Sequence, residues 1–564
     1  MSLFSTIHNS AGALQSAQIG LQTVGNNIAN ANTEGYIRQN YIQTTPAPSR
    51  SGQLIIGHGV RPAGITQQID QALAERMWDA GSQLASGALQ DKTLTQLLSL
   101  MNDLDGTGLN DELTALNGAL HDLANEPNDA SLRQVVILTA ESLTLKMNRT
   151  HKEALRVRSD LDAALVDTVD RVNDLGEKIA KLNLQISTIE GGRLIGSDAT
   201  GLRDDRYRAI EELSQLIDVN VQEQATGTVS IFVQGDYLVS EIYNRELKID
   251  YTKVEEGGEI RFRDNNAELQ LSGGELYAIK RGRDVQVGEV LNDLDDLART
   301  LAREFNTLHS QGQGHRGYDS LTTAEAFVPD AALDAAGLAW TPEAGAFDLT
   351  LVDEAGKRLS THRIDVRLGD PDRDGGSTVA SIIADIDRID GLSAELTPNG
   401  QLRIASDLPG VEFTFGGDTS GFVAAAGLNT FFVGRGAESL AVNSVLKDDP
   451  SMLAISRGGI GADTDGLTEI VDLLDADIER EGGVSIRDKY AKMANRLALA
   501  TSNQQAATQG LQSFYATLQG EHLAITGVNM DEEALRMITY QRAFQAASRV
   551  IATASEMLEL LTSL

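Results

Sequence analysis

The sequence predicts an α+β multidomain protein, with long coiled-coil terminal helices, a helical bundle, and β-rich outer domains inserted into it. Three observations carry this prediction. The last stretch, Asp531 to Leu564, sets Met537, Tyr540, Phe544, Ala547, Ile551, Ala554, Leu558 and Leu561 at alternating 3–4 spacing. A period of 3.5 held to the end of the chain marks a coiled-coil seam. The first stretch repeats the pattern at Phe4, Ile7, Ala11, Leu14, Gln18, Leu21, Gly25 and Ile28, with Gln18 and Gly25 as departures. In between, two blocks alternate apolar and polar residues and are punctuated by glycine, as small antiparallel sheets do.

The two ends are read as partners. A lone terminal helix gains little from its own hydrogen bonds and needs a surface to cover its seam. At about 1.5 Å per residue the C-terminal helix is roughly 50 Å long. Asp531, Glu532 and Glu533 fall in its first turn, where the helix dipole favours negative charge. No charged residue precedes Glu34, so the N-terminal helix has no charged face of its own. The periodicity also fits two core helices of one globular domain.

After Asn32, Tyr36 to Thr45 reads as a strand broken by Pro46 and Pro48, and a second extended piece ends near Ile65. Helix is expected from Gln68 into the low hundreds, and again from Ser131 to Ile189. There Leu161, Leu165, Thr168, Val172, Leu175, Ile179, Leu182, Ile186 and Ile189 keep 3–4 spacing, and Gly191-Gly192 closes the helix. A further helix covers Arg203 to Ile217. Val229, Ile231 and Val233, then Leu247, Ile249 and Tyr251, alternate with turns such as Glu256-Gly257-Gly258 between them. Helix returns over Val285 to His309. Beyond the breaker-rich Gly312 to Gly317, strands are expected at Phe347–Val352, Arg363–Leu368, Leu402–Ile404 and Val411–Phe413, with a helix at Thr378–Ile389. Ile364, Val366 and Leu368 are expected on one face. From Asp463 the chain is helical, with a seam at Ile486, Tyr490, Met493, Leu497, Ala500, Gln504, Ala507, Leu511, Phe514 and Leu518. The expected domains are residues 1–35 with 529–564 as a coiled-coil core, and 36–217 with 273–314 and 445–528 as a helical bundle. Residues 218–272 form a small antiparallel β subdomain and 315–444 a β-rich outer domain.

Composition narrows the function. The 564 residues are 41% hydrophobic but only 5% aromatic, so the cores are expected to be Leu, Val, Ile and Ala. A net charge of −34 argues against a nucleic-acid surface and against a polybasic membrane patch. With no cysteine, disulfides and thiolate metal sites are excluded. No stretch reaches the length of a membrane span, and MSLFSTIHNSAGAL lacks the features of a cleaved secretory signal.

Chemistry is sparse, and neither catalytic residues nor a cofactor or metal is expected. Gly191 to Gly201 is glycine-rich but lacks the lysine of a phosphate loop. His309 and His315 flank a turn without a carboxylate ligand nearby. Asp370, Asp372, Asp374 and Gly375 copy part of a calcium loop, yet Ser381 stands where the bidentate carboxylate belongs. Asp103, Asp105 and Gly108 make a weaker copy, with Thr114 at that place. Solvated acidic turns are expected at both. Adjacent pairs such as Asp295-Asp296 and Glu532-Glu533 read as solvated faces.

The stretch LQTVGNNIANANTEGY, Leu21 to Tyr36, resembles the N-terminal signature of bacterial flagellar axial proteins of rod, hook and hook-associated type. GVNMDEEALRMITYQRAFQAASRVIATASEMLELL resembles the matching C-terminal end of the hook-associated members. LRDDRYRAIEELSQLIDVNV resembles their helix-to-strand junction, and GLNTFFVG the end of their outer domain. Ile37 departs from the pattern, which more often has a small hydroxyl residue there.

The resemblance implies a structural subunit of a ring or short helical layer joining hook to filament, with Phe4, Ile7, Leu14, Leu21, Ile28, Met537, Tyr540, Phe544, Ile551, Leu558 and Leu561 as its assembly seam. The partners it implies are further copies of the chain, the flagellar hook protein, a neighbouring hook-associated junction protein and a flagellar export chaperone. It also implies an extracellular place on the flagellum, reached through the flagellum's own type III channel without a cleaved signal. The alternatives are another axial protein, hook or distal rod, against which the long helix from Ser131 counts, and a secreted calcium-binding adhesin or surface enzyme.

Overall fold

The computed structural model describes residues 3–33, 35–51, 54–101, 108–191, 199–224, 226–252, 258–371 and 373–563. In chain order the first elements are α1 (Leu3–Ala29), β1 (Gln39–Thr44), β2 (Ser49–Ser51), β3 (Leu54–Ile56), β4 (Arg61–Gln67), α2 (Gln71–Leu100), α3 (Leu109–Asn125), α4 (Ala130–Glu190) and α5 (Thr200–Leu216). Then follow β5 (Asn220–Glu223), β6 (Val229–Val233), β7 (Asp236–Ser240), β8 (Tyr243–Asn244), β9 (Leu247–Asp250), β10 (Glu259–Phe262), α6 (Gly274–Arg281) and α7 (Val287–Ser310). The inserted region holds β11 (Ser320–Ala326), β12 (Gly345–Asp353), β13 (Arg358–Val366), α8 (Val379–Asp387), β14 (Leu392–Leu396), β15 (Gln401–Ser406), β16 (Val411–Gly416), α9 (Phe422–Ala425), β17 (Phe432–Val433) and β18 (Ala441–Val442). The chain ends with α10 (Ser444–Asp448), α11 (Asp465–Asp472), α12 (Ile486–Thr526) and α13 (Met530–Ser563). Gly192, Glu256, Gly257, Asp103, Asp105 and Asp372, named above in turns and calcium-like loops, lie outside the described residues.

The residues form two compact units: Met1–Thr93 with Ser159–Val285 and Ser502–Leu564, and Leu94–Arg158 with Gln286–Thr501. In the first unit, α2 packs on α12 through glycine. A β-carbon on Gly81 would meet the Tyr515 ring, and one on Gly87 would meet Thr508 and Leu511. Leu73, Met77, Ala80 and Leu518 close the contact.

The antiparallel sheet β5-β6-β7-β8 and the hairpin β9-β10 are fastened to α4 by two asparagines. Asn183 donates to the Val229 carbonyl (2.8 Å) and accepts from the Val229 amide (3.1 Å). Asn173 does the same to Leu247, at 3.0 and 2.7 Å. Each carboxamide satisfies both backbone groups of one strand residue, as a neighbouring strand would. The α4 series is covered as far as Ile186, with Leu175 half-buried and the other members buried, but Ile189 is exposed.

In the second unit two antiparallel three-stranded sheets, β11-β15-β14 and β13-β12-β16, carry the insertion. Its core departs from the aliphatic one expected: Phe347, Phe413, Phe415 and Phe422 are fully buried there, and Phe431 and Phe432 of the GLNTFFVG stretch pack on Phe305 of α7. The sparse aromatics are concentrated rather than spread. Asn306 holds that stretch in place, accepting from the amides of Phe431 and Phe432 and donating to the Phe432 carbonyl. Ile364 and Val366 are buried as expected, whereas Leu368 lies past the end of β13 and is exposed.

The expected α12 seam holds through Leu497 and then shifts. Thr501, Gln504, Thr508, Leu511, Tyr515, Leu518 and His522 are the covered positions, while Ala507 and Phe514 are exposed. One extra four-residue step between Leu497 and Thr501 is a stutter, which rotates the covered stripe around the helix.

Candidate assembly interface

The two termini pair as antiparallel helices within the first unit. The covered face of α13 is the one that 3–4 spacing selects. Ala547 and Ala554 are buried, and Met537, Tyr540, Phe544, Ile551 and Leu558 are half-buried. Leu561, at the end of the series, is exposed.

On α1 the covered face differs from the expected one. The buried residues are Ser16, Ala17, Gly20, Thr23, Val24 and Asn27. Ile7, Leu14, Leu21 and Ile28 are half-buried at its margins, while Phe4 is 71% exposed and Ala11 and Gln18 are also exposed. The reason is steric. Tyr540 lies flat against Gly20, where a β-carbon would come within 2.6 Å of the ring. A large knob on one helix needs a small residue opposite, so the largest aliphatics of α1 flank the contact instead of filling it. Tyr41 of β1 meets Tyr540 edge-on, with centroids 6.3 Å apart.

Where the chain leaves α1, a buried polar cluster locks the ends together. Glu533, with no exposed surface, accepts from Arg38 Nε (2.9 Å) and Nη2 (2.6 Å) and from Asn27 Nδ2 (3.0 Å). The same Asn27 donates to the Gln39 carbonyl and accepts from the Gln39 amide and the Tyr36 hydroxyl, each at 2.9 Å. The Arg38 amide donates to the Thr526 carbonyl at the end of α12. Arg38 also reaches the exposed Glu532 at 2.8 Å. Glu533 is therefore a buried acceptor rather than part of a solvated face. Burial opposes the Arg38 charge, but the bonds to Glu533 and then Glu532 outweigh it and raise the guanidinium above the usual arginine value. Burial, with the charges of Asp204 and Glu533 added, pushes Tyr36 up to about 12.

This cluster gives the LQTVGNNIANANTEGY stretch a physical meaning that periodicity missed. Asn27 is an uncharged residue on an apolar helix, and only its bonds to Gln39 and Glu533 reveal its role. Gly35 adopts φ 71°, in the left-handed region that glycine tolerates. Ile37 is 2% exposed, so the departure at this position fills the core.

A second buried carboxyl lies beside the cluster. Asp204 of α5 accepts from Gln67 of β4, which also donates to the Thr200 carbonyl. Burial is the main cause that pushes Asp204 up to about 7.

The outer flank of α13 is also apolar. Ala543, Ala546, Val550, Thr553, Met557 and Leu560 follow 3–4 spacing, and all are exposed, Met557 by 51% and Leu560 by 65%. Among the described residues there is no group of three or more His, Asp or Glu placed to hold a metal, and no helix long and apolar enough to cross a membrane. The arrangement is suited to packing helices.

Comparison with known proteins gives concordant findings. A family model described as the flagellar hook-associated protein FlgK helical domain matches residues 94–321. One described as flagella basal body rod protein matches residues 7–36, and one described as flagellar basal body rod FlgEFG protein C-terminal matches residues 519–564. Flagellar hook-associated protein 1 of Escherichia coli (strain K12) is 25% identical over 99% of this chain and all of its own length. The protein of the same name from Bacillus subtilis (strain 168) is 29% identical over 56% of this chain and 70% of its own. The solved flagellar hook junction protein FlgK from Burkholderia pseudomallei aligns with a TM-score of 0.51 and 15% identity, over 80% of this chain and all of that one, a likeness of fold.

Proposed function

We propose that this chain, which belongs to the flagellar hook-associated proteins, is a structural subunit joining hook to filament, and that it assembles with further copies of itself through the outer flank of α13. The seam on α13 is already covered by α1, so it is not free to bind a neighbour. The observation that carries the proposal is the second 3–4 stripe, Ala543 to Leu560, which stands exposed beside it. Two stripes on one helix let it pack on α1 and on a neighbouring copy together, and repetition of that contact builds a ring or helical layer.

In this reading the hook protein lies on one side of the layer and a further junction protein on the other. An export chaperone holds the chain before it leaves the cell, and the chain passes through the flagellar export channel. The family is structural, and its place is the extracellular flagellum.

The test compares Val550→Asp and Met557→Asp on the outer stripe with Ile551→Asp on the inner seam. Burying a side chain of this size contributes about 1.5–3 kcal/mol, and an unpaired carboxylate in an apolar contact costs more. The outer variants should stop filament growth on hooks while leaving the unfolding of the purified chain unchanged. Ile551→Asp should also weaken the pairing of α1 and α13. Normal filaments with both outer variants would reject the outer stripe as the contact.

A further inference from the structure

We infer that the groove between β13 and α8 takes an extended, acidic peptide segment as an added β-strand. β13 is an edge strand: among the described residues it is paired only with β12, while the opposite edge strand, β16, is bridged by Tyr318. In an antiparallel strand, alternate residues send both backbone groups to the same side, so every second residue of β13 presents an N–H and a C=O outward. Alongside this edge runs a groove of about 680 Å³, walled by Thr361, Arg363 and Asp365 on the strand and by Ser381, Asp385 and Arg388 at and just beyond α8. Ile364 and Ile389, both under 10% exposed, give it an apolar floor. Leu359 and Leu368, at the two ends of the edge, are about half exposed.

Charge selects the occupant. Arg363, Arg367 and Arg388 are each more than two-thirds exposed, and among the described residues that line the groove there are two carboxylates. Asp365 is shared by Arg363 and Arg367 at 4.0 and 3.6 Å, and Asp385 is held by Arg388. This is a local excess of positive charge on a chain of net charge −34. Edge strands are commonly guarded by charge or by a covering element. This edge is charged with one sign in excess and stands open beside a helix, so it repels basic strands and admits acidic ones. Backbone bonds supply the affinity of strand addition and alternate side chains its specificity. The fitting segment carries carboxylates on the face towards Arg363 and Arg367, and aliphatic side chains on the face towards Ile364 and Ile389.

The probe is a short fluorescein-labelled peptide alternating Glu with Val, titrated into the full-length chain by fluorescence polarisation, with a Lys–Val peptide as control. The Glu peptide should bind saturably, weaken with added salt, and slow amide exchange across Thr361–Val366. The double substitution Arg363→Glu with Arg367→Glu changes only exposed side chains. It should weaken Glu-peptide binding at least about tenfold and create binding of the Lys peptide. No saturable binding of the Glu peptide, equal binding by the doubly substituted chain, or binding without slowed exchange in β13 would overturn the inference.

Discussion

Replacing Glu533 by alanine tests whether the buried cluster holds the chain ends together. The carboxylate accepts three hydrogen bonds, two from Arg38 and one from Asn27, and has no exposed surface. Its removal leaves a guanidinium that is only 7% exposed without its main counter-charge. Breaking a buried pair from one side costs about 3–5 kcal/mol. Glu533→Gln keeps an acceptor and loses the charge, which should cost about 1–3 kcal/mol. Glu532→Gln removes the exposed partner of Arg38, and exposed pairs contribute about 0–1 kcal/mol. Amide exchange in the free chain reads this out, because α1 and α13 should open as a local unit. Exchange in both helices should accelerate by roughly two to three and a half orders of magnitude in Glu533→Ala, less in Glu533→Gln, and little in Glu532→Gln. Unchanged exchange in Glu533→Ala would refute the cluster as the lock.

Three further predictions follow from the same geometry. Gly20→Ala, which in an ordinary helix would stabilise by about 1 kcal/mol, should here destabilise the terminal pair because of the Tyr540 ring. In a Tyr540→Ala background it should revert to stabilising, as a double-mutant cycle by amide exchange would show. Asp204 is raised to about 7, so the folded state binds more protons than the unfolded one between roughly pH 4 and 7. The stability of the first unit should therefore fall as pH rises through that window, and Asp204→Asn should flatten the dependence in denaturant titrations. His309 is fully buried, bonded through Nδ1 to the Asn429 carbonyl while Nε2 accepts from the Ala454 amide, and burial lowers its pKa to about 4. There the unfolded state binds more protons, so the second unit should lose stability as pH falls from about 6.5 to 4. Unit-resolved exchange at pH 4.5 and 7 should move in opposite directions, and parallel movement would reject both assignments.

The legible parts of this chain are those in which one repeating interaction dominates. The α13 seam could be read because each covered position meets the same kind of surface, so the hydrophobic period survives in the sequence. The α1 face could not, because there the contact is a hole. Gly20, Ser16 and Ala17 are selected for being small, and a scale that scores apolar bulk ranks Phe4 above them although Phe4 faces outward. The α12 stutter escaped for a related reason. A strict 3–4 count carried past Leu497 lands on Ala507 and Phe514, both apolar and both exposed, so composition gives no warning that the covered stripe has rotated. Hardest to see were the polar residues that act across long sequence separations. Asn27 with Glu533, Asn173 with Leu247 and Asn183 with Val229 each join segments that no local pattern connects. Read alone, each is a solvent-facing polar residue on a helix. It becomes a fastener only when the fold supplies an unpaired backbone group or a buried charge opposite it, and leaving that group unmet would cost more than the bond itself contributes.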